Sequence, residues 1–111
     1  MTVIVKTLIP AKIAEATQVT QYTASGVTTI IDKFTATNYS AVAATISVNL
    51  VTVAGAAGDA NLITKTKTLQ PSEVYTFPEL VGQVLMPGGF ISTIAGTAAS
   101  INIRASGREV S

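Results

Sequence analysis

The side chains that could do chemistry in this chain are six carboxylates, seven cations and many hydroxyls, because histidine and cysteine are both absent. Hydrolytic triads usually need histidine as a base whose pKa lies near neutrality. Only a pair of serine and lysine could replace it here. Without cysteine, the chain can form neither disulfides nor thiolate metal sites. Its stability must therefore come from packing, sheet hydrogen bonds and self-association.

The carboxylates are scattered along the sequence, and no two of them stand at short spacing. A glycosidase needs two carboxylates across a cleft, and the stretch Asp59-Ala60-Asn61 is too sparse for a calcium loop. We therefore predict no enzymatic activity, no metal and no cofactor. The six positions are Glu15, Asp32, Asp59, Glu73, Glu79 and Glu109.

The charge balance argues against nucleic acid as a partner. Seven basic and six acidic residues give a net charge of +1, whereas nucleic-acid binders carry a basic stripe that displaces counterions. Charged residues make up only 12% of the chain, about half the usual share. We infer that other copies or another protein cover part of the surface.

Nothing in the sequence predicts a membrane partner or a secretory signal. Hydrophobic residues make up 48% of the chain, but no run approaches the roughly 20 apolar residues that cross a bilayer. The stretch Val3-Ile4-Val5 is too short for the apolar region of a signal peptide. We expect synthesis and assembly in the cytoplasm.

Apolar and polar residues alternate at period two along most of the chain, which is typical of strands with one buried face. The clearest strand covers 45–53, and a first strand is expected to stop near Pro10. Lys65 and Lys67 indicate a protected sheet edge. Pro78–Leu85 is the one predicted helical turn. The sequence predicts an all-β fold: a small antiparallel β-sandwich or jelly-roll-like domain of about eight strands.

A chain of 111 residues has room for one domain. Within it we expect an N-terminal arm with the first strands over 1–26 and a sandwich body over 27–111. The arm carries little core pattern, so it is predicted to lie on a neighbouring molecule. The residues predicted to form protein contacts are Val3, Val5, Leu8, Ile9, Ile13, Tyr22 and Tyr39.

Five stretches of the chain resemble small virion proteins of tailed bacteriophages, a family of β-sandwich capsid decoration (cement) or tail-associated proteins. The stretches are 31–38 (IDKFTATN), 46–51 (ISVNLV), 69–73 (LQPSE), 78–85 (PELVGQVL) and 103–109 (IRASGRE). The resemblance implies a protein of the virion surface that bridges major capsid protein subunits, commonly as a homotrimer at three-fold positions. It brings no catalytic residue with it.

Two other functions stay open at this point. The same phage setting fits a structural protein of the tail or of the head-to-tail joint, where ring symmetry would distinguish it from a decoration protein. A carbohydrate-binding or host-recognition sandwich would need an exposed aromatic platform, for which Tyr39 in a predicted turn is the one candidate.

Overall fold

The structure, a computed structural model, describes all of residues 1–111. It has nine strands and one short 3-10 turn, with every strand pair antiparallel. The prediction of a small antiparallel β-sandwich is confirmed. The strands are β1 Val3–Ile13, β2 Val19–Thr23, β3 Thr28–Asn38, β4 Ala44–Val51, β5 Leu62–Leu69, β6 Val74–Tyr75, β7 Val84–Leu85, β8 Phe90–Ala95 and β9 Ile101–Val110; the 3-10 turn covers Asp59–Asn61.

The strands form two sheets. The first, called sheet A, has the order β1-β9-β3, and the two short strands β6 and β7 both pair with the far side of β3. The second, called sheet B, has the order β2-β8-β4-β5. The four sheet edges are therefore β1, the pair β6 and β7, β2, and β5.

The core lies between the two sheets and is built from alternate residues of their central strands. On β4, Ile46 and Val48 are fully buried on the inner face, as their alternation predicts. Phe34 of β3 packs edge-on against Phe77, with 4.7 Å between ring centroids. The core is thus continuous across both sheets.

Residues 1–26 supply one edge strand to each sheet. β1 pairs with β9 and β2 pairs with β8. β1 does not stop at Pro10 but continues to Ile13, with shifts of register on either side of Ile9. A proline is tolerated there because β1 is an edge strand. On its open side no neighbouring strand is present, so the missing N–H costs no hydrogen bond between strands.

The predicted helical turn over Pro78–Leu85 is wrong. Those residues form successive turns that end in β7. Within the segment, Gln83 donates to the Leu80 carbonyl oxygen in a three-residue turn, and no four-residue helical bond forms. Its other backbone bonds reach β3: Gly82 donates to the Ile31 carbonyl oxygen, and Ile31 donates to that of Gln83. Gly82 also has a positive φ of 83°, which glycine adopts readily and which ends a helix.

The prediction that Lys65 and Lys67 mark a sheet edge is confirmed, since β5 is the last strand of sheet B. The regular alternation of β5 is interrupted at Thr66, whose φ is +42°. The pairing with β4 shifts register at this place. Lys65 and Thr66 are consequently both exposed.

Candidate protein-interaction site

Half of the carboxylates are held in ion pairs. The pairs are Lys6 with Glu109 at 3.3 Å, Lys12 with Glu15 at 2.9 Å, and Arg108 with Asp32 at 2.8 Å. Hydrogen bonds from Arg108 lower the pKa of the Asp32 carboxyl. No group of three or more acidic residues lies close enough together to hold a metal ion.

Tyr22 links the two sheets through its buried hydroxyl group. The hydroxyl lies 2.7 Å from the Thr29 Oγ1 and donates a hydrogen bond to the Glu109 carboxylate. Burial, with the Glu109 contact second, raises the pKa of Tyr22 to about 12. The hydrogen bond from Tyr22 in turn lowers the pKa of Glu109. The carboxylate is therefore a fixed, ionised acceptor near neutral pH.

A second tyrosine and carboxylate pair joins the sheets on the opposite side. Tyr75 donates to one Glu79 oxygen at 2.6 Å, and Thr64 donates to the other at 2.5 Å. The bond to Glu79 raises the pKa of Tyr75 to about 12. Burial opposes ionisation of Glu79, but its two hydrogen bonds outweigh that effect and lower its pKa. Each pair of tyrosine and carboxylate therefore links the two sheets through hydrogen bonds.

A polar cleft of about 190 Å³ lies on the outer face of sheet B, under the loop that leads into the 3-10 turn. Asn49, which is 2% exposed, donates to the Asn61 Oδ1 at 2.7 Å and to the Gly58 carbonyl oxygen at 3.0 Å. Gln18 donates to the Ser92 Oγ at 2.7 Å. These polar groups satisfy one another, which indicates that they hold the loop in place.

The structure separates the seven predicted contact residues into two groups. Leu8, Ile9 and Tyr22 are buried in the chain's own core, so their side chains are not available to a partner. The shift of register after Thr7 turns both Leu8 and Ile9 inward. The other four are exposed: Val3 and Val5 near the start of β1, and Ile13 and Tyr39 near the opposite end of the sandwich.

Val3 and Val5 belong to a larger apolar surface on the outer face of sheet A. Cross-strand pairing puts Val5, Arg108, Ile30 and Val84 in one row. Val5 is 83% exposed and Val84 50%. Directly opposite residues on neighbouring strands have side chains in contact distance on the same face. The row is therefore one surface across four strands, in which Arg108, paired with Asp32, lies between Val5 and Ile30.

The same surface continues into a groove of about 320 Å³ between β4 and β7. Val84 lines this groove together with Val53 and Met86, which are 64% and 65% exposed. Contiguous exposed apolar patches typically mark interaction sites. We call this surface the apolar end; it comprises Val3, Val5, Ile30, Val53, Val84 and Met86.

Val53, Val84 and Met86 are not among the contact residues that the sequence predicts. Val84 falls within the predicted helical turn over Pro78–Leu85, and Val53 is the last residue of the predicted strand over 45–53. The pairing of β3 with β7 and β9 brings Val84 into one row with Val5 of β1, and the shared groove places Val53 and Met86 beside Val84. The one signal in the sequence for these contact residues is a run of apolar residues after the end of a predicted strand.

Comparison of the chain with protein-family models, with curated proteins and with solved structures found no match. No helix in the structure is long and apolar enough to span a bilayer. The apolar end is the feature of the molecule that points most directly to a function.

Proposed function

We propose that the chain is a non-enzymatic structural protein of a tailed-phage virion, which decorates the capsid and bridges neighbouring major capsid protein subunits. The apolar end carries this proposal. Exposed valine and methionine side chains gather on one surface of a chain with only 12% charged residues. The resemblance of its strand and turn stretches to phage virion proteins supports the viral setting.

The apolar end is suited to attachment. Burying a valine or methionine side chain fully stabilises a complex by about 1.5–3 kcal/mol, and association costs several kcal/mol before any net affinity appears. Five of its six side chains are at least half exposed. One such patch gives modest affinity, and repeated attachment to a lattice raises it.

Bridging needs a second contact, and the opposite end of the sandwich offers one. Ile13, Tyr39 and Val42 are exposed there, close to the last residues of β1 and β3. The long axis of the molecule measures 46 Å. A stiff sandwich with an apolar surface at each end can hold two capsid subunits at a fixed distance and oppose outward pressure from packaged DNA.

The test is co-sedimentation of the purified protein with DNA-filled heads of the phage whose genome encodes the chain. Val84→Glu places a charge on the apolar end, and we expect it to reduce binding at least tenfold. Thr20→Glu is the control, because Thr20 is exposed on the edge strand β2 and pairs with Ser92 in the middle of β8, away from the exposed apolar residues at both ends.

Equal loss of binding by both variants would refute the role of the apolar end. Absence of head binding by the unaltered protein would refute the decoration function. Binding to purified tails or head-to-tail joints instead would favour the tail alternative. Binding should persist at about 1 M salt, where the Debye length falls to about 3 Å and exposed charge pairs are screened.

A further inference from the structure

The four sheet edges differ in how well they are protected against pairing with another strand. β5 carries two lysines and a break in alternation at Thr66. β6 and β7 have two residues each, and β2 has five with a register shift. Lysines, irregularities and short length are the usual ways to block a sheet edge. β1 has 11 residues; its first half is regular in register and carries one lysine, Lys6, which is paired with Glu109.

The regular part of the β1 edge covers residues 3–7. Beyond it, the register shifts and Pro10 interrupt the strand. Residues 1–7 are all exposed, so nothing in the chain covers this edge. Its single charge, Lys6, is bound to Glu109 of the neighbouring strand.

The bonding pattern between β1 and β9 shows which backbone groups point outward. Thr2 and Ser111 exchange both of their backbone hydrogen bonds, each at 2.9 Å. In an antiparallel ladder such pairs alternate with pairs that make no bond. Ile4 therefore bonds toward β9, whereas Val3 and Val5 direct their N–H and C=O groups toward the open side.

We propose that the first half of β1 pairs antiparallel with the same segment of a second copy, about a two-fold axis at Ile4. In this register the backbone N–H and C=O groups of Val3 in one copy bond with those of Val5 in the other copy. The same two bonds recur on the other side of the axis, and the two Ile4 side chains face each other. Val3, Ile4 and Val5 of each copy therefore all lie opposite an apolar residue of the other copy.

Charge favours this register over the next one. Each Lys6 lies opposite Thr2 of the other copy, and the two lysines are about 14 Å apart along the strand direction at about 3.4 Å per residue. Sliding the strands so that Val5 faces Val5 would put Lys6 opposite Ile4 and bring the lysines to about 7–8 Å. The first register therefore keeps the like charges beyond the Debye length.

The pairing joins the two copies of sheet A into one continuous sheet and brings their apolar ends together across the axis. It gives a closed two-fold dimer, in place of the trimer that the resemblance implies. The dimer requires no capsid, so its failure and the failure of the decoration function are separate results.

The test is the mass of the full chain by light scattering after size exclusion, at concentrations up to about 1 mM so that even a millimolar Kd is detected. We expect a dimer. Ile4→Lys places two lysines face to face on the axis and should raise the Kd at least tenfold. Ile13→Lys is the control, because Ile13 is similarly exposed on the other end of the same strand, and it should stay dimeric.

Disulfide formation tests the register, since the chain has no other cysteine. Ile4→Cys should form a covalent dimer under mild oxidation, because directly opposite Cβ atoms are about 4.5–5.5 Å apart. Val5→Cys should not, since its counterpart is about 7–8 Å away on the diagonal. A monomer or trimer, a dimer that survives Ile4→Lys, or cross-linking through Val5→Cys instead of Ile4→Cys would overturn the proposal.

Discussion

Replacing Tyr22 with phenylalanine removes the hydroxyl that links sheet B to Glu109 and leaves the ring in place. Tyr22 is 8% exposed, and because the ring stays, the change removes only the hydroxyl group and its hydrogen bonds. A hydrogen bond to a charged group contributes about 1.5–3 kcal/mol. Glu109 keeps its ion pair with Lys6 and has a side chain 14% exposed. We therefore expect the free energy of unfolding to fall by about 2 kcal/mol.

The assay is equilibrium unfolding in urea near pH 7, followed by far-ultraviolet circular dichroism because the chain has no tryptophan. With an m-value of about 2 kcal/mol/M, the midpoint should fall by about 1 M. Tyr39→Phe is the control. Its side chain is 49% exposed, and the midpoint should not move.

The difference between Tyr22→Phe and the unaltered chain should depend on pH. The hydrogen bond from Tyr22 lowers the pKa of Glu109 from its ordinary value of 4.5. Its contribution is thus present above pH 4.5 and is lost as the pH falls further. Toward alkaline pH, Tyr22 has a pKa raised from 10.0 to about 12, so its stabilising effect is present below pH 10 and is lost as the pH rises toward 12. An unchanged midpoint near pH 7, or a penalty that persists in full at about pH 3, would refute the reasoning.

Two further substitutions test local features of the fold. Gly107→Ala should lower the free energy of unfolding by about 3 kcal/mol, because its Cβ would lie 2.2 Å from the Ile30 carbonyl oxygen. Gly58→Ala meets nothing within 4 Å and should leave the urea midpoint unchanged. Asn49→Ala removes the amide that holds the loop before the 3-10 turn. Limited proteolysis should then cut that loop several-fold faster, with Asp59→Ala as the control; equal cutting rates would contradict the assignment.

The sequence predicts the fold class because apolar residues recur at period two along much of the central strands. Ile46 and Val48 of β4 are fully buried as this pattern predicts, although the intervening Ser47 and Asn49 are buried too and Val51 departs from the alternation. Lys65 and Lys67 also identify an edge from local composition alone. In these segments the local pattern and the tertiary structure agree.

The sequence fails where irregularities or distant pairing decide the outcome. The register shift after Thr7 buries Leu8 and Ile9 together, which no period-two pattern would show. The apolar residues of Pro78–Leu85 fit a helix as well as a turn, and bonds to β3 select the turn. The apolar end depends on the pairing of β3 with both β7 and β9, so its parts are far apart in the chain.

The most direct test of the decoration function is a cryo-electron microscopy reconstruction of DNA-filled heads saturated with the protein. We expect added density in which each sandwich, of about 46 × 26 × 19 Å, touches two capsid subunits with the apolar end against the shell. Heads without added density, or density in which Val84 and Met86 face solvent, would contradict the decoration function.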